Sequence, residues 1–356
     1  MKKSLITLAA AVTACAGSAA PAPETAVGLE VVAVGRYDFR GGGHSDRRLA
    51  ADGISGLARL EGDRYVAVAD RGAALLFLEI AVDPRTGRVT RATFLDPVPL
   101  SGPAAALADR EAVACAPGCP TVWLAGEGPP PWIAGHDLEG GTIAVADLGL
   151  PSLTVFATAR PNLGFEALAH RPEGGLWAAN EEALAADGPP ATPRAGTVVR
   201  LIALDDSLRP LRQHAYVTDP VSGPITHPPP AVGREASALV ELVALPGGPL
   251  LALERALGGD GNGVAAFRVR LYAVDPVGAT DVSGPRYRAG LADADWTPVE
   301  KTLLLELRPG LIMANYEAMA LGPELEGGDR SLLLMADNGG GTIQSIYALR
   351  VRRSGR

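Results

Sequence analysis

Residues 165–169 read Phe-Glu-Ala-Leu-Ala, and residues 178–181 read Ala-Ala-Asn-Glu, after a turn that contains Glu173-Gly174-Gly175. Two short apolar runs on either side of a glycine-containing turn predict a β-hairpin. The same pattern, in which the second strand ends in an acid, recurs three times. The further copies span residues 54–58 with 68–71, 236–239 with 253–255, and 316–320 with 335–338. A unit that recurs in this way is typical of a repeat architecture.

Further strand-like runs lie between the four hairpins. They cover residues 121–125, 142–145, 197–204 and 268–274. Together with the hairpins they give roughly twenty or more short strands, as expected of an all-β repeat fold. We therefore predict a β-propeller of about six or seven blades. Pairing of residues 29–34 with residues 343–351 would close the ring and remove exposed edges. A pair of β-sandwiches is the alternative.

The composition is that of a folded, turn-rich domain. Of the 356 residues, 47% are apolar and 20% are charged, and 43 glycines and 30 prolines are spread without period. These proportions exclude a disordered acidic chain, and the net charge of −8 excludes a sequence-independent nucleic-acid binder. We expect one domain over residues 29–352, which is a monomer and whose partner is a small molecule.

The N-terminus predicts export. Two lysines precede an apolar run at residues 5–12, and the tetrad Val-Thr-Ala-Cys at residues 12–15 resembles a bacterial lipobox. We predict a lipoprotein signal peptide over residues 1–14, lipidation of Cys15, and a flexible tether over residues 15–28.

An ordinary secretory signal that is cut near Ala20 is the alternative at the N-terminus. Either signal exports the chain to the bacterial cell envelope, facing the periplasm or the cell surface. No later run reaches the roughly 18 apolar residues that a spanning helix needs. We therefore expect contact with the membrane only through the N-terminal lipid.

Two cysteines remain after Cys15. Cys115 and Cys119 flank the tripeptide Ala-Pro-Gly, and a Pro-Gly turn can bring their sulfur atoms together. Because exported proteins fold in oxidising compartments, we predict a disulfide between them. Two unpaired thiols in a loop are the alternative, and no second Cys or His pair lies nearby to complete a zinc site.

Four motifs, in this order along the chain, resemble one family. They are 53–57 (Gly-Ile-Ser-Gly-Leu) with 69–72 (Ala-Asp-Arg-Gly), 164–168 (Gly-Phe-Glu-Ala-Leu) with Glu181, 253–255 (Leu-Glu-Arg), and 315–319 (Asn-Tyr-Glu-Ala-Met) with Asp337 and Asn338. Over about residues 29–350 the chain resembles the phytase-like family, also described as esterase-like activity of phytase. The resemblance implies a β-propeller exported by bacteria, and hydrolysis of phosphate esters or of other esters.

Polar side chains lie at one rim of each predicted hairpin, because the first strand begins beside the end of the second. The neighbouring pairs are Ser55 with Asp70, Glu166 with Glu181, and Glu317 with Asp337. If these hairpins are the inner strands of successive blades, their acids meet at one mouth of the central channel. The converging set is Asp70, Glu127, Glu166, Glu181, Glu254, Glu317 and Asp337.

Carboxylates that converge in this way repel one another unless a cation or an arginine lies between them. Oxygen donors without a histidine or cysteine cluster favour a hard cation, and a wide, irregular ring favours Ca²⁺ over Mg²⁺. The predicted Ca²⁺ ligands are Asp70, Glu127, Glu166, Glu254 and Glu317, and the predicted catalytic residues are Glu181 and Asp337. Alternatively, these acids cap turns or form the ion pairs Asp70–Arg71 and Glu254–Arg255.

The family resemblance also suggests which residues bind substrate. Arg71 and Arg255 would grip a phosphate or carboxylate with their planar guanidinium groups. Asn180 and Asn338 complete the predicted substrate-binding set.

Three functions remain open. The first is a metal-dependent hydrolase of phosphate esters, in which Ca²⁺ polarises the phosphoryl oxygen and activates a water. The second is a Ca²⁺-dependent hydrolase of carboxylic esters or lactones, with Glu181, Asn180 and Asp337 as ligands. The third is a noncatalytic envelope propeller that binds a ligand or partner. Few of the 32 lysine and arginine residues lie in the motifs, which is a small number for a substrate as anionic as phytate.

Overall fold

The computed structural model describes residues 28–41, 53–118, 120–128, 130–226, 235–259, 262–307, 315–339, 341 and 343–353. Within these residues the chain forms 21 β-strands, and three short 3-10 helices lie at Pro103–Ala106, Thr154–Thr158 and Pro285–Tyr287. No helix in this described part is long and apolar enough to cross a membrane. The predicted all-β class is confirmed. The predicted signal peptide, Cys15 and the tether up to residue 27 lie outside the described residues.

The strands form five antiparallel sheets, which are the blades of a β-propeller. The first strand, β1 (Leu29–Arg40), belongs to blade 5. Blade 1 contains β2 (Ile54–Glu61), β3 (Arg64–Ala69), β4 (Ala74–Val82), β5 (Val89–Phe94) and the short β6 (Val98–Pro99). Blade 2 contains β7 (Arg110–Ala114), β8 (Thr121–Gly126), β9 (Trp132–Asp137) and β10 (Thr142–Val145).

Blades 3 to 5 follow the same order along the chain. Blade 3 contains β11 (Phe165–His170), β12 (Leu176–Asn180), β13 (Val198–Leu204) and β14 (Pro210–Val217). Blade 4 contains β15 (Ala236–Ala244), β16 (Leu250–Gly259), β17 (Ala265–Asp275) and β18 (Glu300–Leu307). Blade 5 contains β19 (Asn315–Glu324), β20 (Arg330–Asp337), β21 (Ile343–Arg353) and β1.

The chain termini close the ring. Strand β1 pairs antiparallel with β21, from Leu29 opposite Arg353 to Arg40 opposite Ile343. The innermost strands β2, β7, β11, β15 and β19 each contact the next, and β19 contacts β2. The predicted closure by N- and C-terminal strands is therefore confirmed.

The predicted number of six or seven blades is wrong, because the propeller has five. Strand-like runs such as residues 142–145 and 197–204 are outer strands of existing blades rather than parts of additional ones. Long connections also use chain length without adding strands, as residues 276–299 do between β17 and β18. The four hairpins seen in the sequence are the inner hairpins of blades 1, 3, 4 and 5, and β7 with β8 is the fifth.

The hydrophobic core consists mainly of five apolar clusters, each between two adjacent blades. Each cluster has members on both blades: Val66 and Leu124 for blades 1 and 2, Ile133 and Phe165 for blades 2 and 3, Tyr216 and Leu242 for blades 3 and 4, Leu253 and Leu332 for blades 4 and 5, and Leu57 and Met335 for blades 5 and 1. Because each sheet is covered on both faces, its inner strands are largely apolar, as residues 65–69 of β3 are, all of them apolar and buried.

A shift in strand register lies near the start of four inner strands. It leaves one extra residue, namely Ser55 in β2, Glu111 in β7, Glu166 in β11 and Glu317 in β19. A bulge of this kind re-aims a side chain. In blade 4 the shift comes between Leu239 and Glu241 instead. The inner strands approach closely here, because a Cβ added to Gly56 would lie 2.6 Å from the backbone nitrogen of Val113.

Candidate active site at the acidic mouth of the channel

Acidic side chains from four blades meet at the end of the channel where the inner strands begin. The bulged residues Glu111, Glu166 and Glu317 start inner strands, and the adjacent strands end at or just before an acid. We call this end the acidic mouth, and its residues are Asp70, Glu111, Glu127, Glu166, Glu181, Arg255, Glu317 and Asp337. Electrostatic interactions link these carboxylates, for example Glu111 with Glu317 and Asp70 with Asp337.

Three glutamates form a compact oxygen cluster within the acidic mouth. One carboxylate oxygen from each of Glu127, Glu166 and Glu181 lies within 4.8 Å of the others, and all three residues are buried. The backbone N–H of Gly164 donates to Oε1 of Glu127 at 3.0 Å, which links blade 2 to blade 3. A cluster of carboxylate oxygens without nitrogen or sulfur donors has the chemistry that suits a hard cation.

Arg255 provides the positive charge of the acidic mouth. Its Nη2 donates to Oε1 of Glu181 at 2.7 Å, and its Nη1 donates to Oε1 of Glu317. Nη1 also lies 3.2 Å from Oδ1 of Asn315, whose Nδ2 donates to Glu317 at 2.8 Å. Arg255 therefore joins blades 3, 4 and 5, and its guanidinium is shared between two carboxylates.

Burial shifts the protonation of the acidic mouth. Burial raises the pKa of Glu111 to about 8, although a hydrogen bond from Ser55 lowers it in part. Burial also raises the pKa of Glu127 to about 10. The pKa of Glu166 lies well above its usual value because of burial and of the neighbouring carboxylates of Glu181 and Glu127. For Arg255, the carboxylates outweigh burial and raise the pKa. Without a cation, burial and mutual repulsion therefore favour the protonated forms of Glu111, Glu127 and Glu166.

Asp70 and Asp337 lie beside each other near Gly53. A Cβ added to Gly53 would lie 2.8 Å from Oδ1 of Asp70 and 3.6 Å from Oδ1 of Asp337, and φ is +72°. Oδ1 of Asp70 accepts the N–H of Arg71 at 2.6 Å, and Oδ1 of Asp337 accepts the N–H of Gly339 at 2.7 Å. Glycine is needed at position 53 because a side chain would collide with Asp70.

Glu254 lies apart from the acidic mouth. Its Oε1 accepts hydrogen bonds from the Tyr216 hydroxyl and from Nζ of Lys301, both at 2.6 Å. Its Oε2 accepts the N–H of Asp219 at 2.9 Å. The predicted pairing of Glu254 with Arg255 is not seen, because Lys301 is its partner. We therefore leave Glu254 out of the proposed ligand set.

Two of the other predicted substrate-binding residues, Asn180 and Asn338, form hydrogen bonds with backbone groups. Oδ1 of Asn180 accepts the N–H of Arg200 at 2.9 Å, and its Nδ2 donates to the carbonyl of Glu182. Oδ1 of Asn338 accepts the N–H of Gly53 at 3.1 Å, which joins blade 5 to blade 1. The side chain of Arg71 is 90% exposed and lies 3.3 Å from Asp70, as the alternative ion pair predicts.

The sequence interpretation missed Glu111 and the role of Asn315. A signal for Glu111 was present, because Arg110-Glu111-Ala112 repeats the pattern of residues 165–167 and 316–318. Of this hairpin, only the second strand, residues 121–125, which Glu127 follows, is predicted from the sequence.

The predicted disulfide stays a prediction. Cys119 lies outside the described residues. Sγ of Cys115 lies 3.2 Å from the carbonyl oxygen of Arg59 on the neighbouring inner strand.

The fold and the site together define a five-bladed β-propeller with buried carboxylates at one channel mouth. The chain belongs to the Phytase-like family, described as esterase-like activity of phytase, whose family model matches residues 50–340. The predicted family is confirmed. No curated protein matches the chain. Among solved structures, the chain is similar to a member of the DUF4221 family from Bacteroides vulgatus, with a TM-score of 0.36 and 9% identity over 92% of this chain and 100% of the other.

Proposed function

We propose that this protein hydrolyses phosphate esters at the acidic mouth, with Ca²⁺ bound by Glu127, Glu166 and Glu181. The observation that carries the proposal is the arrangement of these three buried carboxylates, whose oxygen atoms lie within 4.8 Å of one another. They fit a calcium ion because all donors are oxygen atoms, and the ion would replace the protons that burial and mutual repulsion favour in its absence. Asp70 and Glu317 lie nearby and remain candidate ligands.

The bound ion would act as a Lewis acid on the phosphoryl oxygen and lower the pKa of a bound water. The protein's own residues would orient the charged groups and transfer the protons. Glu181 and Glu317 orient the guanidinium of Arg255 toward the site. We assign proton transfer to Asp337, which is less buried than the three glutamates and lies 3.4 Å from Nδ2 of Asn315.

Hydrolysis of carboxylic esters or lactones is the second candidate, and one observation favours it. The guanidinium of Arg255 is already bonded to Glu181 and Glu317, and Arg71 extends into solvent. The site therefore has little free positive charge for a phosphate. A substrate with one phosphate group suits the site better than a polyphosphate.

Hydrolysis of p-nitrophenyl phosphate and p-nitrophenyl acetate, with Ca²⁺ and with chelator, tests the proposal. We expect phosphatase activity that chelation abolishes and that Glu166→Gln lowers at least a hundredfold. The matched control is Glu139→Gln, an exposed glutamate in the turn between β9 and β10. Activity on the acetate alone would favour the second candidate. Activity that neither chelator nor Glu166→Gln changes would contradict the site, and no activity on either ester would favour the noncatalytic function.

We also propose that the protein acts in the bacterial cell envelope, anchored by a lipid on Cys15. The lipobox-like tetrad at residues 12–15 supports this location. Metabolic labelling with a radioactive fatty acid tests it, and label that persists in Cys15→Ala would contradict it.

A further inference from the structure

A cavity of about 270 Å³ lies at the opposite end of the channel, where the inner strands end. We call it the apolar cavity. Every inner strand contributes to its wall. One residue from each of them is Leu57, Val113, Leu168, Leu242 and Met319. Its volume is close to the lower end of ligand-binding cavities, about 300 Å³.

The charge of this cavity is opposite to that of the acidic mouth. Among the described residues that line it there is no aspartate or glutamate, and Arg59 and Arg330 carry its charge. The Arg59 side chain donates to the carbonyl oxygens of Gly62 at 2.8 Å and Gly322 at 3.3 Å, which do not neutralise it. Arg330 is 3.8 Å from Glu324, a distance at which a partly exposed pair contributes little. On a chain with a net charge of −8, this is a local positive rim.

A buried carboxyl group, that of Glu241, lies beside the cavity. This residue is fully buried, and its Oε1 accepts the N–H groups of Leu168 at 3.2 Å and Leu242 at 2.9 Å. Both leucines line the cavity, so the Glu241 carboxyl group lies against its floor. None of the residues that line the apolar cavity belongs to the acidic mouth, so the two sites are built from different residues.

We propose that the apolar cavity binds a free, medium-chain fatty acid. The hydrocarbon chain would occupy the apolar walls, and its carboxylate would lie at the rim between Arg59 and Arg330. The two guanidinium groups favour an anionic head and repel a cationic one. The apolar walls favour a hydrocarbon over a polyanion, since burying further charge without a partner is unfavourable.

Calorimetric titration with decanoate, below its micelle concentration, tests the proposal. The comparison ligands are decyltrimethylammonium, which has the same chain and the opposite charge, and butyrate, which has the same head and a short chain. We expect decanoate to bind at least tenfold more tightly than either. The double variant Arg59→Gln/Arg330→Gln should weaken decanoate binding at least tenfold, and Arg71→Gln, at the other end of the channel, should leave it unchanged.

Circular dichroism and thermal melting show whether each variant is folded. If the double variant is not folded, the single variant Arg330→Gln replaces it, because the Arg330 side chain is partly exposed. Equal binding of the two decyl ligands, unchanged binding by the folded arginine variants, or no binding of decanoate would overturn the proposal. The titration is done in chelator and repeated on Glu166→Gln, so its outcome is independent of the proposed hydrolase.

Discussion

The hairpins of blades 3 and 4 have similar sequences and opposite roles. In blade 3 the register shift between Phe165 and Ala167 places Glu166 in the channel, and Glu181 follows the second strand. In blade 4 the shift comes later, between Leu239 and Glu241. The acid of that hairpin, Glu254, therefore packs between the blades, and the next residue, Arg255, reaches the acidic mouth.

The difference shows that strand register decides whether an acid joins the site. Successive side chains of a strand face opposite sides, so a change of one position moves a carboxylate from the channel to the space between two sheets. There, Glu254 accepts hydrogen bonds from Tyr216 and Lys301. In blade 3, Glu181 pairs with Arg255 of blade 4, and Glu166 and Glu181 form an oxygen cluster with Glu127 of blade 2.

The largest expected effect is the loss of stability of the whole protein when Glu254 of blade 4 is substituted. Glu254→Gln should lower the free energy of unfolding by about 3 kcal/mol, because it leaves the ammonium of the largely buried Lys301 with one carboxylate instead of two. Glu166→Gln removes one of several repelling carboxylates and should change stability by less than about 1 kcal/mol. Urea unfolding in chelator measures both. A larger loss in Glu166→Gln would contradict the contrast between the blades.

Calcium should stabilise the protein by binding the glutamates Glu166 and Glu181 of blade 3, and Glu254 of blade 4 should not contribute. At a free concentration of about 100 times its Kd, Ca²⁺ should raise the free energy of unfolding by about 2.7 kcal/mol. Glu166→Gln should lose this increase, and Glu254→Gln should keep it despite its lower baseline. Denaturant unfolding with Ca²⁺ and with chelator measures the effect. Identical wild-type curves in the two buffers would falsify the metal site.

Glu241, which follows the register shift of blade 4, should make the stability of the protein depend on pH. Burial raises the pKa of Glu241 well above its usual value of 4.5, so the folded state binds this proton more tightly than the unfolded state. The contribution of Glu241 to stability is therefore complete below pH 4.5 and is lost as the pH rises toward its folded pKa. Its loss is at most about 1.4 kcal/mol per pH unit.

Glu241→Gln keeps the shape of the side chain and removes this titration. The stability of the variant relative to wild type should increase with pH between about 5 and 8. Unfolding of both proteins across this range measures the difference, and Glu139→Gln is the control. A constant difference at all pH values would rule out the titration of Glu241 as its source.

The smallest expected effect is on calcium affinity. Arg255 is the cation that blade 4 contributes to the acidic mouth, so Arg255→Gln should strengthen calcium binding by about 1 kcal/mol through the loss of repulsion. Arg71→Gln, whose side chain is 90% exposed, should change it much less. Calorimetric titration of folded variants with Ca²⁺ distinguishes them. Weaker binding by Arg255→Gln would indicate that its role is to hold Glu181 and Glu317 in place.

Much of the fold was predictable because hairpins are local. The turn at residues 173–175 and the apolar runs around it lie within about twenty residues, and these features predict β11 and β12. The number of blades depends on which strands share a sheet. The pairing of β1 with β21 joins opposite ends of the chain, and the pattern of residues 142–145 is the same for an outer strand as for a strand of another blade.

For the site, the sequence by itself determined the supply of acids at the ends of the hairpins. It showed Glu166 with Glu181 as neighbours in one hairpin, because antiparallel pairing relates nearby residues. The sequence and the family resemblance also predicted Glu127 and Arg255 at the mouth, but only the tertiary structure decided that Glu127 lies within 4.8 Å of this pair, that Glu254 lies apart from it, and that Arg255 bonds to Glu181 and Glu317. The physical reason is that bulge position and the closure of five blades set which face each side chain occupies, and neither is encoded within a single hairpin.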